Sequence, residues 1–520
     1  MEPRPEHDSD FPRPHCCPCC DHATEPAGGF TRRTFLGGAA AVGSIALSGL
    51  TWSRLAAAEA EVLQPAKRRS IQVKPILVYS TYKPVEQRSW RSWGGIQTQE
   101  DADAEVKRIQ GELKQLEAKA DFPVEFLPIS AVKNSAEMKG HADVEKADVL
   151  LVYAAAGDLN AFPQLGKDCI FFLRHKSGPL YLHYEIISPR FLRQHTDRLV
   201  VEGIDDEDVV VDSLDEIVWR LRSLCGLRNT LGTKILAIGG PNAWAQPKGV
   251  VPALVQEKWK LDIQTVTYEE LGKLIEAARA DEKAVALAER RAAEYLKTEG
   301  TKLETDRKFV APCFLLDDVF RRLMAEAGCR AITINGCMGT IMPIAQTTAC
   351  LTLSTLNDDG YLAFCESDFV VIPSGLLLAG ISGLPVFLND PTYPHDGVIT
   401  LAHCTAPRKL DGKSVEPAQI MTHFESDYGA APKVNMRKGQ VVTNIAPDFK
   451  AERWLGLSAE IVDHPLLPIC RSQIDVRFKA PADLVAERMP GFHWMTGYGD
   501  YLREVGYALK RIPIAWENLG

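Results

Sequence analysis

The sequence predicts an α/β protein: two doubly wound parallel-sheet domains followed by a β-rich C-terminal domain. Three observations carry this. Apolar strand-like runs alternate with helical stretches from residue 72 to about 362, the pattern of βαβ units and parallel sheets. The helical stretches have helical periodicity, as in Asp101–Ala120, where Val106, Ile109, Leu113 and Leu116 form one stripe. Beyond Leu362 the pattern changes to short apolar runs parted by Gly, Pro and Asp turns. A chain of 520 residues also exceeds the roughly 250–300 residues that one core supports. The expected divisions are a leader at 1–60, an N-terminal α/β domain at 72–232, a second at 233–362, and the β-rich domain at 363–520.

In the first domain the expected strands are Pro75–Tyr79, Val124–Leu127, Ala147–Tyr153, Cys169–Leu173 and Leu180–Tyr184. The second opens with the strand Lys234–Ile238, which ends in Gly239-Gly240-Pro241. That trio lacks GxGxxG spacing and reads as a tight turn more readily than as a phosphate cradle. A helix, the strand Leu261–Val266, a long charged helical region Glu269–Leu296, the helix Leu315–Ala327 and the strand Ala331–Ile334 follow. The third domain offers Pro385–Leu388, Val398–His403, Gln419–Phe424, Gln440–Ile445 and Ser472–Phe478 as strands. It closes with a helix, Tyr501–Lys510, and a strand, Ile512–Trp516.

Composition bounds the function. Hydrophobic residues make up 46% and charged residues 24%, ordinary for a globular protein. The net charge of −9 and the lack of a concentrated basic run speak against a nucleic-acid surface. Of the 13 cysteines, four fall within residues 16–20 and the rest are scattered singly. In so long a chain, with an odd total, buried free thiols are expected rather than a disulfide framework.

Phe30-Thr31-Arg32-Arg33-Thr34-Phe35-Leu36 reads as the core of a twin-arginine signal. An uncharged, glycine-rich stretch runs from Thr34 to Ser53, too weakly apolar for a good membrane span. Ala56-Ala57-Ala58-Glu59-Ala60 then offers an A-x-A exit. The expected destination is the periplasm or the exterior, with membrane contact through this segment alone; an uncleaved anchor is the competing reading. The upstream His15-Cys16-Cys17-Pro18-Cys19-Cys20 cluster could bind zinc or iron and would leave with the signal.

Candidate chemistry lies in the mature region. Arg88-Ser89-Trp90-Arg91-Ser92-Trp93-Gly94-Gly95 follows the first strand, at the end of a parallel sheet where ligands bind. Arg91 could hold hydroxyls while Trp90 and Trp93 stack on a sugar ring, or the tryptophans could simply anchor a surface loop. In Cys365-Glu366-Ser367-Asp368 two carboxylates stand two apart between apolar runs. Such groups are costly to bury unless paired or bound to a cation. On a strand they would face one side and share a metal; in a strand-to-helix turn Asp368 would act as an N-cap. His493 lies among aromatic residues in Gly491–Asp500, and His403 and His423 are further candidates. Taken singly, each of these histidines is more often a structural residue than a ligand.

Together these segments resemble the L-fucose isomerase and L-arabinose isomerase superfamily. The resemblance rests on Cys365-Glu366-Ser367-Asp368 followed by Ser382-Gly383-Leu384-Pro385-Val386-Phe387, and on Phe492-His493-Trp494, Gly497 and the closing Tyr501–Lys510 and Ile512-Pro513. The domain order is also that of the family. The resemblance implies a divalent metal, typically Mn²⁺, held by Asp368 and His493 with Glu366 as ligand or acid/base. It implies aldose–ketose interconversion through an enediol, with catalysis by Glu366 and Asp368, and a homo-oligomer. The sugar site would be shaped by Trp90, Arg91, Trp93 and His403. One departure stands out: Asn335–Pro343, where the family has a further acidic ligand, contains no carboxylate. This keeps two other expectations open, a non-catalytic exported sugar-binding protein, and an epimerase or lyase on a modified sugar.

Overall fold

The computed structural model describes residues 50–56, 64, 65, 67–91, 93–193, 204–247 and 249–520. The arginine pair, the Cys16–Cys20 cluster and residues 57–60 of the expected cleavage region lie outside the described residues. The end of the uncharged stretch does not. Trp52–Leu55 forms a short helix whose Trp52 and Leu55 are buried against the helices of the second sheet. Trp52 Nε1 donates to Asp281 Oδ2 at 2.9 Å, and Arg322 stacks on the indole.

The protein is mixed α/β, with two parallel sheets and a closed antiparallel barrel. The first sheet takes β1 (Ile71–Val78), β2 (Val124–Phe126), β3 (Ser130–Val132), β4 (Val149–Ala154), β5 (Asp168–Leu173) and β6 (Val209–Val211). Its order is β2-β1-β4-β5-β6, with β3 extending the β2 side of β1, and every pairing is parallel. β1 and β4 are buried along nearly their whole length, as continuous apolar runs in a covered parallel sheet are. Leu180–Tyr184, expected as a strand, is instead a bend leading into a π-helical turn, His183–Ile187. The alternation of large side chains there comes from packing under the sheet end, where Tyr181 bonds Arg174 and Glu105.

The second sheet has β7 (Lys234–Ile238) and β8 (Asp262–Val266); after the short β9 (Thr301–Leu303) come β10 (Ala331–Ile334) and β11 (Leu362–Cys365). Its order, β11-β10-β7-β8, is again parallel throughout. The expected helix Glu269–Leu296 is two helices, Tyr268–Ala280 and Glu282–Lys297. They part at Asp281, whose carboxylate caps the second by accepting from Lys283 and Ala284 amides. After β11 the chain enters the helix Ile372–Ser382, which packs on Leu214–Thr230. The contact is close because Gly226 and Gly380 meet there: a Cβ on Gly226 would lie 2.3 Å from Ile381 Cγ1.

The C-terminal region comprises β12 (Phe387–Pro391), β13 (Val398–His403), β14 (Ala418–Met421), β15 (Ala431–Val434), β16 (Val441–Pro447), β17 (Arg453–Asp463), β18 (Ser472–Phe478), β19 (Trp494–Tyr498) and β20 (Ala515–Asn518). The antiparallel path β16-β19-β12-β13-β18-β17 closes when β17 pairs back onto β16, so these strands have no open edge. β20 adds in parallel to the outside of β17, and β14, β15 and β9 form a small separate sheet. The closing strand was expected at Ile512–Trp516 and begins at Ala515; Gln419–Phe424 shortens to Ala418–Met421. Among the described residues no helix is long and apolar enough to cross a membrane.

Candidate metal centre

The mouth of the barrel meets the C-terminal end of β11. Asp390 lies on β12, His403 ends β13 and His493 directly precedes β19. β12 runs between β13 and β19 with Asp390 opposite Ala402 and Asn389 opposite Trp494. That register brings three residues distant in sequence to one rim.

The Cys365–Asp368 segment is not an extension of the strand. Glu366 and Ser367 both adopt left-handed conformations, with φ of 63° and 47°. The chain therefore turns at once, and the turn is held from outside: Asn242 N donates to Ser367 O at 3.1 Å, and Phe369 N donates to Asn242 O at 3.0 Å. Two non-glycine residues in this region cost about 1–2 kcal/mol each, so the tertiary contacts impose them. The Gly239-Gly240 turn, with φ of 74° and 89°, delivers Asn242 to that position.

Asp368 accepts the amides of Trp244 and Val370 on Oδ1, both at 3.1 Å, and His493 Nδ1 meets its Oδ2 at 2.7 Å. It stands behind His493 and fixes the ring. The opposite nitrogen, Nε2, lies 3.2 Å from Asp390 Oδ1 and 3.4 Å from Glu366 Oε2. His403 Nε2 is 3.6 Å from Glu366 Oε1, and its Nδ1 is 3.0 Å from Thr405 Oγ1. Glu366 Oε2, Asp390 Oδ1 and His493 Nε2 are buried and face one another at ion-pair distances, yet none forms a hydrogen bond. Buried polar atoms are seldom left so. Oxygen and imidazole donors converging on one point could hold a metal ion. Asp390, His403 and His493 form one compact donor set.

Electrostatics agrees with that grouping. Burial opposes the charge on His493, yet Glu366, Asp368 and Asp390 together hold its pKa well above the usual histidine range. Burial likewise works against ionised Glu366, but His493 and His403 outweigh it and keep its pKa well below the usual carboxyl range. Asp390 goes the other way, raised chiefly by burial and by the neighbouring carboxylates against the pull of the two histidines. His423 is lowered to about 4 by burial first and His403 second.

The cavity is lined by Glu366, Asp390, His403, His423, Met338 and Phe492, and by several cysteines. Its free volume is about 30 Å³, room for an ion or a water but not for a sugar. Trp244 stacks on Phe492, centroids 4.1 Å apart, and closes one wall. Cys337, in the π-helical turn Cys337–Ile341, has its Sγ 3.4 Å from Cys365 Sγ, with pKa elevation at Cys365 from that bond and then from burial. A larger cleft, about 490 Å³, lies elsewhere, between Trp219 and Trp516. Its cations Arg220, Arg503 and Lys510 are already paired with Glu216 and Asp205, so it brings together no free acid or base.

Glu366, Asp368, His403 and His493 thus meet in one place. Trp90, Arg91 and Trp93 do not join them. Arg91 stacks on Trp90, Trp93 is 52% exposed, and Gly95 ties the loop to Leu180. Among the described residues this loop makes no bond to the cluster. Asp390 was missed in the sequence. Its signal was a carboxylate in Asn389-Asp390-Pro391, directly after the apolar Val386-Phe387-Leu388. No protein-family model matches the chain, and no curated protein matches it.

Proposed function

We propose that this chain is a metal-dependent aldose–ketose isomerase working through an enediol. The observation that carries the reading is the convergence of Glu366 Oε2, Asp390 Oδ1 and His493 Nε2, three buried atoms that face one another at ion-pair distances and hydrogen-bond to nothing else. Those residues, with His403 alongside, would hold a divalent cation. The cation would serve as a Lewis acid at the substrate oxygens on C1 and C2.

The residues divide the remaining work by environment. Two carboxylates whose pKa values are pushed apart mark distinct roles. Asp390, the more basic, is suited to take the proton from C2 and return it at C1. Glu366, held ionised, serves as a fixed anion. Asp368 sets the ring of His493. A sugar needs more than the present cavity, so Met338 and Phe492, which narrow it, must yield. The doubly wound arrangement of helices about both parallel sheets, a homo-oligomer and export by the twin-arginine route belong to the same proposal.

The test is ketose formation from a panel of pentoses, hexoses and deoxyhexoses by the Mn²⁺-loaded protein, repeated after chelation. Turnover that chelation removes is expected. Absence of turnover in protein that demonstrably holds its metal rejects the isomerase. Sugar binding without product would then favour the binding protein, and a different product an epimerase or lyase.

A further inference from the structure

Beside the carboxylate–histidine cluster lies a second group of donors that isomerisation does not use. Cys350 opens the helix Cys350–Asp358, Cys404 follows β13 directly, and His423 is two residues past β14. Their two sulfurs and one ring nitrogen all lie within 4.8 Å of one another. Cys470, two residues before β18, packs against Cys404 and completes a group of four. Buried thiols often serve simply as small apolar groups. That account does not cover His423, which is 4% exposed and whose Nδ1 has no hydrogen-bond partner. A buried polar atom is seldom left unpaired.

We infer that Cys350, Cys404, Cys470 and His423 form a thiolate-rich site for Zn²⁺. Three sulfurs and an imidazole are the donor set of a closed tetrahedral zinc site. Zinc–sulfur bonds of about 2.3 Å would set the sulfurs about 3.8 Å apart, and Cys350, Cys404 and His423 already lie within 4.8 Å of one another, with Cys470 beside Cys404. The neighbouring oxygen-rich cluster suits a harder cation, so the two sites select different metals by donor chemistry. Each cysteine surrenders its thiol proton to solvent as its sulfur bonds the cation, and no electrons are transferred. The bound ion would clamp four separate segments: the helix Cys350–Asp358, the end of β13, the loop after β14 and the approach to β18. His403 is the chain neighbour of Cys404, so the clamp would also steady the metal centre described above. This inference shares no residue with the isomerase site and stands or falls without it.

The experiment uses the full chain carrying Cys16→Ser, Cys17→Ser, Cys19→Ser and Cys20→Ser, so that the N-terminal thiols add no signal, stripped of metal under reducing conditions and titrated with Co²⁺, then with Zn²⁺. An intense sulfur-to-cobalt charge-transfer band should saturate at one equivalent and vanish on zinc addition. Cys404→Ser should abolish it and Glu366→Gln should leave it unchanged. Cys470 is only half-buried, so Cys470→Ser, which should weaken the band severalfold, serves if the first variant does not fold. Three results would overturn the site: folded protein that shows no such band, a band that survives both serine variants, or a disulfide among these cysteines in freshly purified protein. Mn²⁺-dependent turnover is read separately, so loss of one activity does not stand in for loss of the other.

Discussion

At the scale of single residues, the carboxylates of the metal centre have separable effects. Glu366→Gln should weaken Mn²⁺ binding and remove turnover together, because it deletes a fixed anion beside the cation. Asp390→Asn should lower kcat by at least about 100-fold, the contribution typical of a general acid or base, with part of the metal binding retained. Parallel metal titrations and rate measurements separate the two. Asp368→Asn keeps the shape but loses the anion that orients His493. A loss of about 10–100-fold in metal affinity is expected, as for other residues that orient a ligand. Acidity supplies a further check. Glu366, Asp368 and Asp390 raise the pKa of His493 against its burial, so a proton on Nε2 would take the place proposed for the cation. Metal and proton therefore compete, and apparent affinity should rise about tenfold per pH unit for each proton displaced. A pH-independent affinity would show that His493 Nε2 is not a ligand.

At the scale of elements, β15 holds a buried lysine. Lys433 is 2% exposed and donates to His464 O at 3.2 Å, and burial lowers its pKa from 10.5 to about 8. The unfolded chain keeps that proton to higher pH, so stability should increase as pH rises from about 8 to 10.5. Lys433→Met should raise stability at pH 7 by about 1–2 kcal/mol and flatten that slope, as read by denaturant unfolding across pH. Elements differ in how openly the sequence announces them. Val398–His403 and Ser472–Phe478 are visible to the residue, because turn residues bracket compact apolar runs. Arg453–Asp463, the longest strand, was passed over. It mixes Arg453, Ser458 and Glu460 among its apolar residues, and part of its pairing is with a strand that arrives only at the C-terminus. Glu366 and Asp368 stood out as carboxylates among apolar residues. Asp390 looked like one more turn residue, because its role depends on barrel register, which spacing does not encode. The distinction between a ligand and the residue behind it was also hidden, since Asp368 is defined by the Trp244 amide of another loop and by His493, both more than a hundred residues away in sequence.

At the scale of the whole molecule, Trp52 reaches from the expected leader into the core of the second sheet. Trp52→Ala should lower the stability of the full chain by about 2 kcal/mol, less than the 3–5 kcal/mol of a fully enclosed tryptophan, because so short a helix as Trp52–Leu55 can detach as a unit. An unchanged unfolding midpoint would mean that Trp52–Leu55 leaves the surface in solution. The C-terminal helix Leu502–Leu509 and the residues after it reach the first sheet region. Arg222 bonds Glu504, Tyr507 bonds Asp208, and Arg511 bonds Asp168.

Closure of the barrel has a consequence in time. β19 enters between β12 and β16 only after the chain has travelled more than a hundred residues from β12, and it brings His493 with it. Loop closure of that length precedes any reward from the contacts it makes. During synthesis, a ribosome would release the carboxylates well before their histidine, so a nascent chain has no finished cradle to fill. Under the proposed function, metal capture would therefore come late, after the last large rearrangement of folding. In refolding experiments it should trail barrel formation, and a cation added early should be unable to hurry it.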